Sequence, residues 1–246
     1  MSAKCAGISC ANVGVVFKRE FLNYFNTPIG FVFLAIFSFM INVLFFVFTQ
    51  FWEAGIANLD RFFATFSLGY VIFIPAVTMR LWAEEKRSGT IELLFTMPIR
   101  HEEAILGKYF SALAFLAVAL ASTLFVPLTV AVIADPDWFL IFGGYIGAFF
   151  MGSAYISMGL MFSWLTKDQI VAFLFTVLAI FVLYLLGLEP VLEAMGSLKP
   201  IAAFFSVSWH YESLSRGLFD SRDIIYFISF SALFLYLNYR SITNRR

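Results

Sequence analysis

RLWAEEKRSGTIELLFTMP occupies residues 80–98 and is the longest polar interruption on one side of a chain that is otherwise strongly apolar. Four consecutive charged residues, 84–87, come before a Ser-Gly pair, and a run of apolar residues resumes at Ile91. The stretch separates two apolar runs that are each about long enough to cross a membrane. It therefore marks where the chain turns back, and the rest of the sequence can be arranged around this turn.

The composition assigns the chain to the membrane. Hydrophobic residues make up 61% of its 246 positions and charged residues 13%, whereas a soluble domain has roughly 45–50% apolar and about 25% charged residues. A soluble chain of this length has no interior large enough for so much apolar surface. The formal net charge is zero, so there is no basic excess of the kind that nucleic-acid binding requires.

Apolar runs predict an all-α integral membrane protein with a single transmembrane domain over residues 1–246. A hydrocarbon core about 30 Å thick needs roughly 20 apolar residues in a helix. Six segments fit or nearly fit this length, namely residues 30–51, 62–79, 109–134, 138–165, 170–188 and 223–240. The last is short, and its helix is expected to run to both edges of that range.

Basic residues set the orientation. When the N-terminus is placed inside, all but four of the 16 Lys and Arg residues fall on the inner side. The four exceptions are Arg61, Lys199, Arg216 and Arg222. Because inner loops carry the excess of Lys and Arg, both termini and residues 80–108 are predicted to be cytoplasmic, and residues 189–222 extracytoplasmic. We expect a multi-pass protein of the inner (cytoplasmic) cell membrane.

The N-terminal region reads as a flexible leader, residues 1–12, followed by an amphipathic interface helix, residues 13–27. Phe21 and its apolar neighbours recur at helical spacing, with Lys18 and Arg19 between them, which suits a helix lying at lipid headgroups. A simple extension of the first span is the alternative. Two cysteines, Cys5 and Cys10, are expected to be free thiols; a metal pair is the other reading, and no His or further Cys lies nearby.

The fourth span contains closely spaced small residues. Gly143 and Gly147 form a GxxxG pair, and Gly152 continues the small-residue pattern. Such residues let helix backbones approach closely in lipid. The pattern predicts either packing within the chain or a seam between two subunits.

Several kinds of chemistry have no support in the sequence. The interiors of the six predicted spans contain no Asp, Glu, Lys, Arg or His, although such groups usually mark ion or proton pathways. Asn42 is the strongly polar exception, expected to bond between helices rather than to contact a substrate. No phosphate-binding loop or metal-ligand motif appears. We expect no catalytic residue, no bound metal and no enzymatic activity in this chain.

The polar stretch predicts a bent shape. The second span should continue inward until Ser88-Gly89 ends its helix, after which Thr90 can cap a short helix over residues 91–95. Pro98 then forces a turn, and Glu102-Glu103 begin the next helix, where acidic residues suit the helix dipole. The apolar short helix either rests on lipid or docks into a groove of a partner protein.

At this point the sequence resembles a known family. EEKRSGTIELLFTMP (residues 84–98) with EAILGK (residues 103–108) resembles the signature of type-2 ABC transporter permeases. KREFLNYFNTPIGFVFLAIF (residues 18–37) and FFSVSWHYESLSRGLFDSRDIIYF (residues 204–227) are similar to one branch, which contains gliding-motility permeases and permeases for nitrous oxide reductase maturation. Val207 stands where that branch commonly has Pro.

The resemblance implies a six-span subunit that forms a homodimer or heterodimer and docks two separate ATPase subunits. Those partners would bind ATP and Mg, and this chain would bind no cofactor. Residues 13–27 would be a connecting helix, residues 80–108 would carry a coupling helix, and residues 189–222 would form re-entrant or interfacial helices. The residues implied in the ATPase contact are Glu84, Glu85, Lys86, Arg87, Gly89, Thr90, Glu92, Leu93, Leu94 and Pro98.

The resulting functional expectation is a permease subunit that couples ATP hydrolysis by its partner to export or extracytoplasmic translocation of a substrate. Mechanical work on an extracytoplasmic envelope partner is included in this reading. The alternative is a membrane scaffold or passive pore without an ATPase. The sequence does not name the cargo.

Overall fold

The computed structural model describes residues 4–5, 8–48, 59–133, 137–218 and 220–244. Two short strands, β1 (Lys4–Cys5) and β2 (Ile8–Ser9), pair antiparallel, and the other elements of this part are helical. A 3₁₀ turn covers Gly196–Leu198. The α-helices are α1 (Cys10–Asn26), α2 (Pro28–Phe48), α3 (Asp60–Thr78), α4 (Arg80–Ser88), α5 (Thr90–Thr96), α6 (His101–Ser122), α7 (Phe125–Ile133), α8 (Trp138–Leu165), α9 (Gln169–Leu185), α10 (Glu189–Ala194), α11 (Lys199–Phe205), α12 (Val207–Ser215) and α13 (Ser221–Thr243).

Four helical stretches of the described chain are long and apolar enough to cross a membrane. They are Pro28–Val47, Asp60–Ser88, His101–Val132 and Trp138–Leu165. Helix α9 is also apolar but has 17 residues, and α13 has 23 residues with charged groups near both ends. The predicted first span, residues 30–51, extends past Phe48 into residues outside the described part.

Helix α8 is the centre of the bundle. It packs against α3, α6, α9, α12 and α13. A Cβ on Gly143 would lie 2.8 Å from the Cα of Gly217, and one on Gly147 would lie 2.9 Å from the Cβ of Leu214. On Gly152 it would lie 2.3 Å from a methyl carbon of Leu116. These three glycines therefore allow contacts within the chain that a larger residue would block.

Buried tyrosine hydroxyls connect neighbouring helices. Tyr70 of α3 donates to the carbonyl of Ala148 at 3.1 Å, and Tyr211 of α12 donates to that of Phe63 at 2.9 Å. A buried hydroxyl without a partner is costly, so each pair specifies how two helices meet. Among the described residues, Asn42 does not join helices as expected. Its amide donates at 2.6 Å to the carbonyl of Ser38, one turn earlier in α2.

Element boundaries differ from the predictions in several places. Helix α1 begins at Cys10, three residues before the predicted start, and Cys10 is an exposed free thiol; the side chain of Cys5 is outside the described part. The predicted span 109–134 is not one continuous helix, because α6 ends at Ser122 and α7 starts at Phe125. Pro127, which lacks a backbone N–H, lies just after this break and favours it.

The segment after α9 is largely helical. Helices α10, α11 and α12 follow one another with short turns, within the predicted range 189–222. Pro190 and Pro200 lie in the first turns of α10 and α11, where the missing N–H would have no helical partner anyway. Tyr211 and Leu214 of α12 are buried against the bundle, so this segment closes one end of it.

Candidate docking site at the bent segment

The bent segment, residues 80–108, begins with a junction between α3 and α4 at Met79. The Ser163 hydroxyl of α8 donates to the carbonyl of Met79 at 2.8 Å and accepts from the backbone N–H of Trp82 at 3.0 Å and of Ala83 at 3.2 Å. A side chain inserted in the backbone ladder is a recognised cause of helix bending. The junction is thus held by a residue of another helix.

Gly89 ends α4 in the left-handed conformation, with φ of 73°, which glycine adopts at little cost. The Ser88 hydroxyl donates to the carbonyl of Glu84 at 2.9 Å and lies 2.9 Å from the hydroxyl of Thr90. Thr90 was expected to cap α5, but α5 has no side-chain cap. The Thr90 hydroxyl instead lies within 3.5 Å of the carbonyl of Glu85, so both hydroxyls serve the end of α4.

Helix α5 forms the exposed tip of the segment. Leu93 is 65% exposed, and Glu92 and Pro98 are exposed beside it. Ile91 is half-buried and packs against the hydrophobic core. Leu94 lies in α5, but its side chain is outside the described part. The exposed side chain of Leu93 is free to contact either lipid or a partner protein, the two alternatives that the sequence left open.

Glu103 fixes the return of the chain into α6. Its carboxylate is buried and accepts from the backbone N–H of Ser9 at 2.7 Å, from the amide of Asn12 at 2.8 Å and from the backbone N–H of Arg100 at 3.0 Å. The last bond satisfies a backbone donor at the helix N-terminus. Glu103 therefore holds the N-terminal residues against the base of the bent segment.

Four charged residues form a cluster where α1, α4 and α6 meet. Lys108 Nζ lies 2.9 Å from Glu20 Oε1 and 3.0 Å from Glu85 Oε1. The guanidinium of Arg19 lies 2.5 Å from the same oxygen of Glu20 and 2.7 Å from that of Glu85. We call these four residues the Lys108 cluster. Two positive and two negative charges alternate, so the cluster is formally neutral.

Burial and charge act in opposite directions on Glu20. Burial alone would raise the pKa of its carboxyl, but the charges of Lys108 and Arg19 and the hydrogen bonds that they donate lower the pKa below its ordinary value. Glu20 is therefore ionised at neutral pH. Its charge is the partner that the ammonium of Lys108 needs.

The predicted contact residues divide into two groups. Glu84, Arg87, Gly89 and Thr90 are exposed. Glu85 belongs to the Lys108 cluster, and Lys86 bonds to the carbonyl of Trp164 with its ammonium 3.5 Å from the centre of that indole ring. Glu85 and Lys86 thus contact the chain's own helices, and any effect on a partner would be indirect.

The amphipathic helix α1 also places its predicted residues on different faces. Lys18 is exposed, whereas Arg19 reaches Glu85 of α4. The ring of Phe21 stacks on that of Phe17, with centroids 5.7 Å apart. Val16 and Tyr24 are buried, and a Cβ on Gly107 would lie 2.6 Å from the Cβ of Val16. Helix α1 therefore packs directly on α6 at a glycine.

This arrangement combines two membrane-length helices, a polar bend between them and an exposed short helix at the tip. The sequence profile described as ABC-2 family transporter protein matches residues 54–240, which is more than half of the chain. The chain belongs to the ABC-2 transporter family. It is a multi-pass membrane protein and a permease subunit of an ABC transporter. No individual curated protein matches the sequence significantly.

Membership has general consequences. Membrane subunits of the ABC-2 family are transport components that are generally non-catalytic, pair with an ABC ATPase and work as dimers. The match covers the bent segment and most of the helices. It does not support the narrower gliding-motility and nitrous oxide reductase branch that the sequence resembles.

Three residues of this ABC-2 chain matter more than their sequence context suggested. Lys108 precedes an apolar run, and its side chain is 1% exposed. Ser163 bonds to the backbone of α3 and α4, and Glu20 pairs with Lys108. A Lys, an acid and a Ser beside apolar runs give no local sign of pairing, because their partners are far away in the sequence.

The opposite end of the ABC-2 bundle has a second polar cluster. His210 Nδ1 lies 2.7 Å from Asp223 Oδ1, and the Ser213 hydroxyl donates to the other oxygen of that carboxylate. The imidazole stacks on Tyr226, with ring centroids 3.9 Å apart. Both side chains bond to Asp223, whereas in a Ser–His–Asp triad the Ser hydroxyl bonds to the His. The arrangement ties α12 to the start of α13.

Metal binding has no candidate in the described ranges of the ABC-2 chain. Within them, no group of three or more His, Cys, Asp or Glu residues could hold a metal ion.

A recess of about 390 Å³ lies beside the Lys108 cluster, between α1 and α4. Glu84, Asn23 and Arg80 are among the polar residues that line it.

Proposed function

We propose that this chain is the membrane subunit of an ABC exporter and that its bent segment receives the ATPase. The observation that carries the proposal is the exposed helix α5, which presents Leu93 between charged residues on a support held from two sides. Ser163 fixes the segment where it leaves the bundle, and Glu103 fixes it where it returns. A support of this kind can transmit a force instead of yielding to it.

The proposed topology has six spans with both termini in the cytoplasm of a cell bounded by an inner membrane. The spans are α2, α3 with α4, α6 with α7, α8, α9 and α13. Helix α9 has 17 residues and would measure about 25 Å at 1.5 Å per residue, which suits a slightly thinner local bilayer. The excess of Lys and Arg at the ends near the bent segment supports this orientation.

In the proposed mechanism the nucleotide chemistry takes place in two ATPase subunits, which bind ATP and Mg. Their closure would move α5, and the motion would pass into α4 and α6. A second permease, identical or paralogous, would complete the pathway, and the two permeases would rearrange against each other. This chain supplies the lever and the wall of the path, and no cofactor.

The apolar surfaces suggest the kind of cargo. A groove of about 880 Å³ between α9 and α13 is lined mainly by aromatic and aliphatic side chains. Its two hydroxyl groups are engaged, since Tyr226 bonds to the carbonyl of Phe205 and Ser229 to that of Tyr226. We therefore propose lipid-linked, amphipathic or peptide-like cargo, or mechanical work on an extracytoplasmic partner. The scaffold or passive-pore alternative is not favoured, because the family consists of transporters.

The test is co-purification with the cognate ATPase. The variant Leu93→Asp with Glu84→Lys changes two exposed residues and leaves the Lys108 cluster intact. Leu218, which is 64% exposed at the opposite end, gives the matched control Leu218→Asp. We expect the first variant to lose the ATPase and the permease-dependent part of ATP turnover, and the control to keep both. Retention of the ATPase by the double variant, at the level of the control, would rule out docking at α5.

A further inference from the structure

The ammonium of Lys108 is the most buried cationic group in the bent segment. Its side chain is 1% exposed, whereas lysines are almost never fully buried unless they are paired. Three acceptors surround it: Glu20 Oε1 at 2.9 Å, Glu85 Oε1 at 3.0 Å and the carbonyl of Leu81 at 2.7 Å. Two of the three donors of the ammonium bond to Glu20 and Leu81, and Glu85 is a further ion-pair partner.

The three acceptors come from two separate stretches of chain. Glu20 belongs to α1 and lies 88 residues from Lys108, and Leu81 lies 27 residues away in α4. Arg19 contacts the same two carboxylate oxygens from the other side. A displacement of α1 relative to α4 would therefore break several charge-assisted hydrogen bonds at once, and these are the strong ones.

Stability alone does not explain a lysine at this position. Replacing a buried ion pair with well-packed apolar residues is often neutral or stabilising, and most of this chain is apolar. An ion cluster adds geometric specificity, because its bonds form only when the helices have one particular relative position.

We propose that Lys108 is a positioning residue that fixes α1 and the bent segment as one rigid unit. It acts through Glu20 and Glu85 and contacts neither nucleotide nor cargo. When the ATPase moves α5, the cluster would carry the displacement into α1 and α6 together. This consequence rests on the proposed function, whereas the rigid unit itself does not.

The first part of the test measures, without any ATPase, how rigidly α1 is held against α4. Spin labels are placed at Val15→Cys on α1 and Arg87→Cys on α4, both exposed, with Cys5 and Cys10 replaced by serine. The charge-balanced variant Lys108→Met with Glu85→Gln removes one charge of each sign. We expect its thermal midpoint to stay near that of the parent, and its label–label distance distribution to broaden about twofold or more as the charge-assisted bonds are lost.

A second variant guards against a folding defect. Arg19→Gln with Glu20→Gln is also charge-balanced and changes the less buried side of the cluster, and it should broaden the distribution too. Lys167→Met, an exposed lysine at the same end, is the matched control and should leave it narrow. A distribution that stays narrow in both charge-balanced variants would overturn the proposal.

The second part of the test uses the complex with the cognate ATPase. Both charge-balanced variants keep α5 and should still co-purify, but their permease-dependent ATP turnover should fall roughly fivefold or more, as for a lost coupling free energy of 1–3 kcal/mol. Unchanged turnover with a broadened distribution would overturn the role in transmission. If the parent chain itself fails to bind the ATPase, the proposed function is wrong, and the first part of the test still decides whether the unit exists.

Discussion

The two ends of the helix bundle use different polar chemistry. At one end, the Lys108 cluster joins three helices with four alternating full charges, whose residues lie up to 88 positions apart. At the other, Asp223 joins His210 and Ser213, which are 13 and 10 positions away. The first set of bonds fixes the relative placement of distant helices, and the second shapes one local turn.

The two clusters therefore oppose different movements of the helices. Charge-assisted bonds across three helices oppose sliding and rotation of one helix against another. A carboxylate that binds two side chains of the preceding helix stabilises the loop between α12 and α13 and leaves the other helices free of it. The Lys108 cluster therefore braces three helices, whereas the Asp223 cluster braces two consecutive ones.

We expect the largest loss of stability when the central cation of the cluster, Lys108, is removed. Lys108→Ala leaves two half-buried carboxylates with one guanidinium, and breaking a buried pair in this way costs about 3–5 kcal/mol. We expect a large fall in the thermal unfolding midpoint in detergent and in the yield of folded protein. Lys167→Ala, at an exposed lysine, should change neither. A small effect at Lys108, equal to that of Lys167, would mean that the cluster does not brace this end.

A packing change tests the other end. Gly143→Val places side-chain atoms where a Cβ alone would lie 2.8 Å from the backbone of Gly217, and such overpacking typically costs about 1–3 kcal/mol. Gly14→Ala in α1 is the matched control, since a Cβ there meets nothing within 4 Å. We expect it to be neutral or slightly stabilising because alanine favours helices. Thermal unfolding of both variants against the parent decides the point.

Removing the Asp223 carboxylate should have a moderate effect. Asp223→Ala leaves the partner atoms of His210 and Ser213 unsatisfied, which costs about 1–3 kcal/mol for a buried group. Glu193→Ala, an exposed acid in the same segment, is the control. Hydrogen exchange should rise in α12 and the start of α13 and remain unchanged in α1 and α4. Spread of the effect to α4 would contradict the local character of this cluster.

Acid should lower the stability that the Lys108 cluster provides, and we expect this effect to be the smallest of the four. The pKa of Glu20 is lowered from its ordinary value of 4.5 in the folded protein, so its stabilising contribution is complete above that value and is lost as the pH falls through the lower folded pKa. We expect the thermal midpoint to decline below pH of about 4.5 and Glu20→Gln to flatten part of that decline. Parallel pH curves for the two proteins would show that Glu20 does not contribute.

Local features could be predicted from the sequence, and long-range pairing could not. The break at Gly89 and the short helix after it follow from glycine and helix-end signals. The inward position of Glu85 does not, because its neighbours Glu84 and Arg87 are exposed and only the placement of α1 distinguishes it. Asn42 was misjudged for a related reason. A polar group in an apolar helix can bond one turn back, and no pattern along the sequence shows which partner is nearer.

The hydroxyl of Ser163 has a consequence for any attempt to exchange parts of this protein. It stands in for backbone partners of α3 and α4, so the direction in which that long helix changes course is encoded in α8. A chimera that received residues 60–88 alone would contain the sequence of the bent helix but would lack Ser163, which sets the angle of the bend. Residues 60–88 and helix α8 therefore have to be transferred together if the bend is to be preserved.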